Sequence, residues 1–233
     1  MGTRPPVFDG DGMKTGGRPS PLVPSLIYEQ RLWGQGYRYV AGLDEAGRGA
    51  WAGPVVAAAV ILPADLPGLA EHLVGVRDSK QLSPARREML LEVIQAQALA
   101  WAVGQVPSAE IDALGIVPAT RQAMHQALAD LSPAADYALI DYLPLPALDL
   151  PQSSLPKGDA RVLSIAAASI VAKVLRDRLM VRLDDRYPGY GFARHKGYGT
   201  PQHRVALQSL GPCAIHRLSF APLQYLAPGP ADC

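Results

Sequence analysis

Residues 39–63 read YVAGLDEAGRGAWAGPVVAAAVILP. An apolar run climbs from Tyr39 to Leu43 and meets two adjacent acids, Asp44 and Glu45. A loop of small residues, Ala46-Gly47-Arg48-Gly49-Ala50, follows, and Val55 to Leu62 is again continuously apolar between Pro54 and Pro63. Apolar runs of this length, bounded by turn residues, predict buried strands. Two acids and one arginine therefore stand in the connection between two core strands. A buried carboxylate pair repels itself and needs a cation or hydrogen bonds to be tolerated. A hard divalent ion such as Mg2+ is the simplest such cation. Neighbouring strand residues point to opposite faces, so this reading requires the strand to bulge or end at Glu45, or Glu45 to reach round. Gly47 and Gly49 permit close backbone approach and positive φ. Arg48 between them can fork onto a phosphate. The plainer alternative is a polar turn in which Arg48 neutralises the acids. Apolar sequence running up to Asp44 itself argues against it.

Outward from this stretch, 233 residues with 48% hydrophobic content suffice for one substantial domain. A net charge of +1 neither demands nor excludes nucleic acid, so the distribution of charge decides. Two cysteines, Cys213 and Cys233, give neither a disulfide framework nor metal-ligand spacing. With no signal-peptide pattern and no apolar run near the roughly 20 residues that span a bilayer, the expectation is a cytoplasmic, monomeric protein that uses no membrane.

Residues 1–25 hold five prolines and five glycines and are expected to be disordered. A domain over 26–225 and a short tail over 226–233 are expected to follow. Within the domain the pattern predicts a short helix over 26–36 ahead of the two strands. Ser83-Pro84 reads as N-cap and first helical position of a helix over 84–97. A strand over Ala100–Val106, a short helix over Ser108–Leu114 and a helix over Pro118–Asp130 come next. Tyr137–Asp141 is an apolar strand ending in an acid, the place where sites gather in sheets with parallel strands. Residues 142–156, with four prolines, read as an extended loop. Lys157-Gly158-Asp159 then precedes a helix with a small-residue face. In that helix Ile165, Ala168, Ala172, Leu175, Leu179 and Leu183 form the core stripe, and Lys173 and Asp177 pair on the exposed side.

From Arg176 to Arg217 there are eight Lys or Arg against three acids. His195, His203 and His216 fall here too, with Tyr187, Tyr190, Phe192 and Tyr198 interleaved. Basic residues with aromatics suit a phosphate backbone and a sugar or base face; an ordinary solvated surface fits the composition equally. Asp44, Glu45, Asp141 and Asp159 are the acids that folding can unite. A carboxylate set with no Cys or His favours Mg2+ or Mn2+ over zinc. Two such ions can drive phosphodiester hydrolysis. The competing class is a nucleic-acid-binding module without chemistry, in which the acids are structural. A nucleotide-binding P-loop is disfavoured, because Gly47-Arg48-Gly49 lacks the lysine spacing.

These residues carry a resemblance. Over roughly 38–224 the sequence resembles ribonuclease HII, through AGLDEAGRGAWAGPVVAAAVIL (41–62), DSKQLS (78–83), the strand ending in Asp141, KGD (157–159) with SIAAASIVAKVLRDRLM (164–180), HKGYGT (195–200) and HRLSFAP (216–222). The resemblance implies an α/β ribonuclease H-like fold: a central mixed sheet flanked by helices, with a helical C-terminal part. It implies cleavage of the RNA strand of RNA–DNA hybrids, and incision 5′ to single ribonucleotides in duplex DNA, leaving 3′-hydroxyl and 5′-phosphate ends. By the same analogy Asp44, Glu45, Asp141 and Asp159 are catalytic and hold the metals. Gly47, Arg48 and Gly49 grip the ribonucleotide, and Tyr198 stacks on its sugar. Lys80 and Lys196, in the neighbouring motifs, complete the candidate substrate contacts. The sequence departs from the family in one place near the site: Tyr142 stands where the family usually has Gly after the third acid, which puts the loop beyond Asp141 in question.

Overall fold

In the computed structural model, which describes residues 23–225, five strands form one mixed sheet in the order β3-β2-β1-β4-β5. β1 (Val40–Ala46), β2 (Val55–Ile61) and β3 (Ala100–Val106) are antiparallel neighbours. β4 (Tyr137–Asp141) runs parallel to β1, and β5 (Gln152–Leu155) parallel to β4. Around them lie α1 (Ile27–Gly34), α2 (Leu69–His72), α3 (Pro84–Gln97), α4 (Ser108–Leu114), α5 (Ile116–Ala129), α6 (Leu163–Arg186), α7 (Phe192–His195) and α8 (Pro201–Leu210).

Both faces of the sheet are covered, which is why β2 is apolar at every position. Val55, Ala57, Ala59 and Ile61 pack under α4 and α5 with Ile111, Ala123 and Met124. Ala58 and Val60 pack under α3 and α6 with Leu91, Ile94 and Ala168. Small residues set how closely the helices lie. A Cβ on Gly42 of β1 would meet the Ser164 carbonyl carbon at 2.2 Å, and one on Gly104 of β3 the Ala123 carbonyl oxygen at 2.1 Å. α6 therefore rests on the centre of the sheet and α5 on its β3 side. α3 starts as its sequence predicts: the Ser83 hydroxyl accepts the Arg86 N–H at 3.3 Å, with Pro84 in the first turn. The C-terminal helices α7 and α8 form a separate small core with Ala52, Met180, Tyr190 and Leu223, set against the β1–β2 loop.

Five expectations are corrected. β1 neither bulges nor ends at Glu45; it continues in register with β2 through Ala46. The stretch 142–156 is not all loop, since Gln152–Leu155 pairs with β4 as an edge strand. α6 has no single core stripe. From Leu163 to Ala172 it is buried on all sides, whereas Leu175, Leu179 and Leu183 are only half-buried. Lys173 and Asp177 are not on an exposed side: their 2.8 Å ion pair is largely covered, and Arg87 approaches the same carboxylate at 3.7 Å. The expectations for residues 1–22 and 226–233 lie outside the described residues. Ser25, placed in the disordered segment, bridges Val162, so order begins ahead of Leu26.

Candidate active site

The parallel register pairs Val40 with Tyr137 and Leu43 with Ile140. One step further along it sets Asp44 beside Asp141, at the carboxyl ends of adjacent parallel strands. β5 then delivers the third acid. Its chain leaves the sheet through Lys157, in a left-handed conformation at φ 57°, and turns so that the Gly158 N–H donates to Asp141 Oδ1 at 2.7 Å. A Cβ at Gly158 would meet the end of the Ile165 side chain at 2.7 Å, so a larger residue here would have to shift that side chain. Asp44, Asp141 and Asp159 thus each bring a carboxylate oxygen within 4.8 Å of the others.

The electrostatics of this trio are those of a cation site. Asp44 is buried, and burial, then the charges of Glu45 and Asp141, push its carboxyl well above the usual range; the Ser169 hydroxyl and the Glu45 amide oppose this. Asp141 is pushed up to about 6 by burial and by Asp159 and Glu45, against the Gly158 amide and Lys80. Burial and Asp78 raise Asp159. Glu45 is not one of the three acids whose oxygens meet within 4.8 Å, though its charge acts on both Asp44 and Asp141. Its Oε1 accepts from Arg48 Nη1 at 3.0 Å, while its Oε2 is buried without a partner among the described residues. The trio, an oxygen-only donor set with an orphaned carboxylate oxygen nearby, fits a hard divalent ion.

Lys80 lies at this cluster, its Nζ 3.6 Å from Asp159 and 3.9 Å from Asp78. Burial works to lower its pKa, but Asp44, Asp78, Asp159 and Asp141 together raise it, so it stays an ammonium. Lys80, Asp141, Tyr142 and Asp159 line a cleft of about 450 Å³. Tyr142 takes φ 57° and is exposed. The position demands a left-handed backbone, which is the physical reason a glycine suits it, and the tyrosine accepts it while Asp141 keeps its place on β4.

The Gly47-Arg48-Gly49 loop is held from beneath by two arginines that bond backbone carbonyls and, among the described residues, form no ion pair. Arg176 of α6 donates to Pro54 O at 2.9 Å, Ala52 O at 3.1 Å and Lys196 O at 3.0 Å. Arg217 donates to Gly53 O twice, at 3.0 and 2.8 Å, and to Arg48 O at 2.9 Å. Both are fully buried. Burial, then Arg176, lowers Arg217 to about 9, so it still carries its charge at neutral pH. Gly47 has φ 90° and lies directly on Arg176, where a Cβ would come within 1.9 Å of Nε. Gly49 meets nothing within 4 Å of a built Cβ, so close packing is a demand of the first glycine only.

A family model described as Ribonuclease HII matches residues 41–223. The chain belongs to the ribonuclease HII family. It is 56% identical over 205 residues to "Ribonuclease HII" of Roseiflexus castenholzii, covering 88% of this chain and 92% of that one. It is 54% identical over 202 residues to "Ribonuclease HII" of Chloroflexus aurantiacus, covering 87% and 95%. Among solved structures it is similar to the ribonuclease H2 from Pyrococcus horikoshii OT3, with a TM-score of 0.67 and 26% identity over 80% of this chain and 95% of that one. As a ribonuclease HII it is a ribonuclease H nuclease, and the mixed sheet flanked by helices is that fold.

The basic stretch is only partly a surface. Arg176 and Arg217 are structural cations inside the protein, and His195, His203 and His216 are buried. A groove of about 390 Å³ remains, lined by Lys173, Arg178, Arg194, Lys196 and Tyr198 among others. The Tyr198 ring has Lys173 Nζ at 5.3 Å and Arg176 Cζ at 5.4 Å from its centre. The Lys196 ammonium is bonded to the Ala193 carbonyl within the same loop. Composition alone could not separate inward from outward cations, because long side chains at helical spacing reach either way. Among the described residues, no helix is long and apolar enough to cross a membrane.

Proposed function

We propose that this chain is a divalent-metal-dependent endonuclease that cuts the RNA strand of RNA–DNA hybrids and incises 5′ to single ribonucleotides in duplex DNA, leaving 3′-hydroxyl and 5′-phosphate ends. The observation that carries the reading is the meeting of Asp44, Asp141 and Asp159 from three separate segments at one point, beside a glycine loop backed by buried positive charge. Asp44, Asp141 and Asp159 would hold Mg2+ or Mn2+, with Glu45 turning its free oxygen to the same task. A pair of such ions supplies an activated water and stabilises the leaving oxygen of a phosphodiester.

The chain's own groups do the rest. Lys80, an ammonium at the mouth of the acidic cleft, meets the substrate phosphate. Arg48 can exchange its contact with Glu45 for a phosphate oxygen, which also frees that carboxylate. The backbone of Gly47, Arg48 and Gly49 approaches the ribose, and Tyr198 packs on the sugar, so that the 2′-hydroxyl is the feature selected. Lys196 borders the groove that receives the duplex. The same reading makes the protein a cytoplasmic monomer that removes ribonucleotides from DNA.

The test is a duplex carrying one ribonucleotide, incubated with and without Mg2+ or Mn2+ and mapped at nucleotide resolution. The expected product is one metal-dependent cut 5′ to the ribonucleotide. Binding with no turnover under either ion would replace the enzyme by a hybrid-binding module. An Asp44→Asn, Asp141→Asn protein cutting at the parental rate would remove the acids from the chemistry.

A further inference from the structure

Tyr198 sits between Gly197 and Gly199, and both glycines are forced. A Cβ on Gly197 would meet the Ala52 carbonyl oxygen at 2.4 Å, and one on Gly199 the Trp51 ring at 2.3 Å. Two flanking glycines leave the backbone at Tyr198 with little intrinsic direction. Its ring has to be aimed by something else.

The Tyr198 N–H donates to the His195 carbonyl at 2.9 Å, and the Tyr198 carbonyl is anchored as well. It accepts from Thr200 N–H at 2.8 Å and lies 3.0 Å from His203 Nδ1. Behind His203, its Nε2 lies 3.0 Å from His216 Nε2, and His216 Nδ1 lies 2.8 Å from the Cys213 amide nitrogen. The direction of this chain follows from its fixed end. His216 Nδ1 also lies 3.2 Å from the Cys213 carbonyl and 3.1 Å from its Sγ, but the shorter contact is to the amide, which can only donate, so Nδ1 is an acceptor and the proton is on Nε2. That proton is donated to His203 Nε2, which must be bare, so the proton of His203 is on Nδ1 and points at the Tyr198 carbonyl. Each ring is then neutral and in a single tautomer. Burial supports this: His203 is 0% and His216 2% exposed, and both are held far below the ordinary histidine pKa, at about 4. His195, stacked on His203 with ring centres 4.4 Å apart, obeys the same rule. Its Nδ1 accepts from Gly197 N–H at 3.2 Å, so its Nε2 donates to Tyr190 O at 2.8 Å.

We propose that His216 and His203 form a one-way hydrogen-bond relay from the Cys213 amide to the Tyr198 carbonyl, and that they are positioning residues for the ribose contact of Tyr198. The inference rests on the reading of Tyr198 given above. Two amide substitutions divide the His203 ring between them. In His203→Asn the side-chain amide sits where Nδ1 was and can still donate to the Tyr198 carbonyl. In His203→Gln the amide reaches the Nε2 position, keeps a partner for His216 and loses the donor to Tyr198.

The experiment measures kcat/KM on the single-ribonucleotide duplex for both variants, in the parental chain and in Tyr198→Ala. His203→Asn is expected to stay within about threefold of the parent and His203→Gln to lose about tenfold or more. In Tyr198→Ala, itself impaired, His203→Gln is expected to add nothing, because a residue acting through Tyr198 has nothing left to act on. Asn and Gln equally active beside an impaired Tyr198→Ala, or losses that multiply in the double variant, would overturn the relay alone. Tyr198→Ala at the parental rate would overturn the reading of Tyr198 and the relay with it. Long-range proton–nitrogen NMR of the unaltered protein at pH 7 reads the tautomers directly. Protonated Nε2 on His216 and Nδ1 on His203 are expected, and an imidazolium or the reversed tautomers would overturn the proposal.

Discussion

At the scale of single residues, Asp44 carries the tension between stability and function. It is a buried acid beside Glu45 and Asp141, and its neighbours disfavour its charge. Asp44→Asn keeps the oxygen that accepts the Glu45 amide at 2.7 Å and removes the charge. The variant should therefore melt a few °C higher than the parent in EDTA at pH 8, while cleavage falls by about a thousandfold. Scanning calorimetry paired with the cleavage assay checks both, and a lower melting temperature would mean that the carboxylate is internally compensated. For Tyr198 the expected contact is made by the ring. Tyr198→Phe should keep most of its activity, and Tyr198→Ala should lose about tenfold to a hundredfold in kcat/KM. Equal losses would assign the effect to the hydroxyl. At this scale much was legible: acids terminating apolar runs stand out because burying them needs a reason. The place of Glu45 was not. Strand alternation alone points it away from Asp44, yet its charge acts on both Asp44 and Asp141. Only the tertiary structure shows that its Oε1 goes to Arg48 and its Oε2 is left free.

At the scale of elements, α6 is the part on which the site is built. Its N-terminal half seats on Gly42 of β1, and about one turn beyond its fully buried stretch Arg176 ties the β1–β2 loop to the loop bearing Lys196 and Tyr198. Arg176→Met would leave three carbonyls, two of them in buried hydrogen bonds, without this donor. At about 1–3 kcal/mol for each orphaned acceptor, with partial relaxation, the melting temperature should fall by about 10 °C. Affinity for the duplex, measured by anisotropy in Ca2+, should fall with it, because both loops lose their common anchor. A melting temperature within 2–3 °C of the parent, a margin of roughly 1 kcal/mol, would show that the loops are held by other means. The helices and long strands were legible from periodicity, and α3 from its cap. β5 was not, for it is four residues long, contains two serines and is bounded by Pro151 and Pro156. It is a strand only because β4 offers an open edge. The burial of α6 on all sides was masked as well, since its alanines suit a surface and a core alike.

At the scale of the whole molecule, two sets of buried groups respond to acid in opposite senses. His203 and His216 are held at about 4, below their ordinary 6.5. The stability they confer as neutral groups is complete above about pH 6.5 and is lost as the pH falls towards 4. Asp141, raised from 3.8 to about 6, does the reverse. Its ionisation destabilises the fold above about pH 6, and that penalty is relieved as the pH falls towards 3.8. In EDTA the two trends oppose each other, so the melting temperature should vary little between pH 7 and 5. With a divalent ion bound the carboxylates stay ionised and the histidine trend stands alone, so the same acidification should lower the melting temperature clearly. Thermal melts across that range, with and without Mn2+, check the difference in slope; identical slopes would contradict it. The basic stretch teaches the limit of composition at this scale: two of its eight cations, Arg176 and Arg217, are interior struts.

The carboxylates gathered from β1, β4 and the turn after β5 meet within 4.8 Å of one another, and on the proposed reading they hold divalent ions. The direct measurement is the rise in melting temperature with added Mn2+ at pH 8, for the parent and for the Asp44→Asn, Asp141→Asn variant. An ion at a hundred times its dissociation constant stabilises the fold by about 2.7 kcal/mol, which for a chain of this size is a shift of roughly 5–10 °C. The parent should show that shift and the variant little or none. A parent indifferent to Mn2+, or a variant that responds as the parent does, would contradict the account.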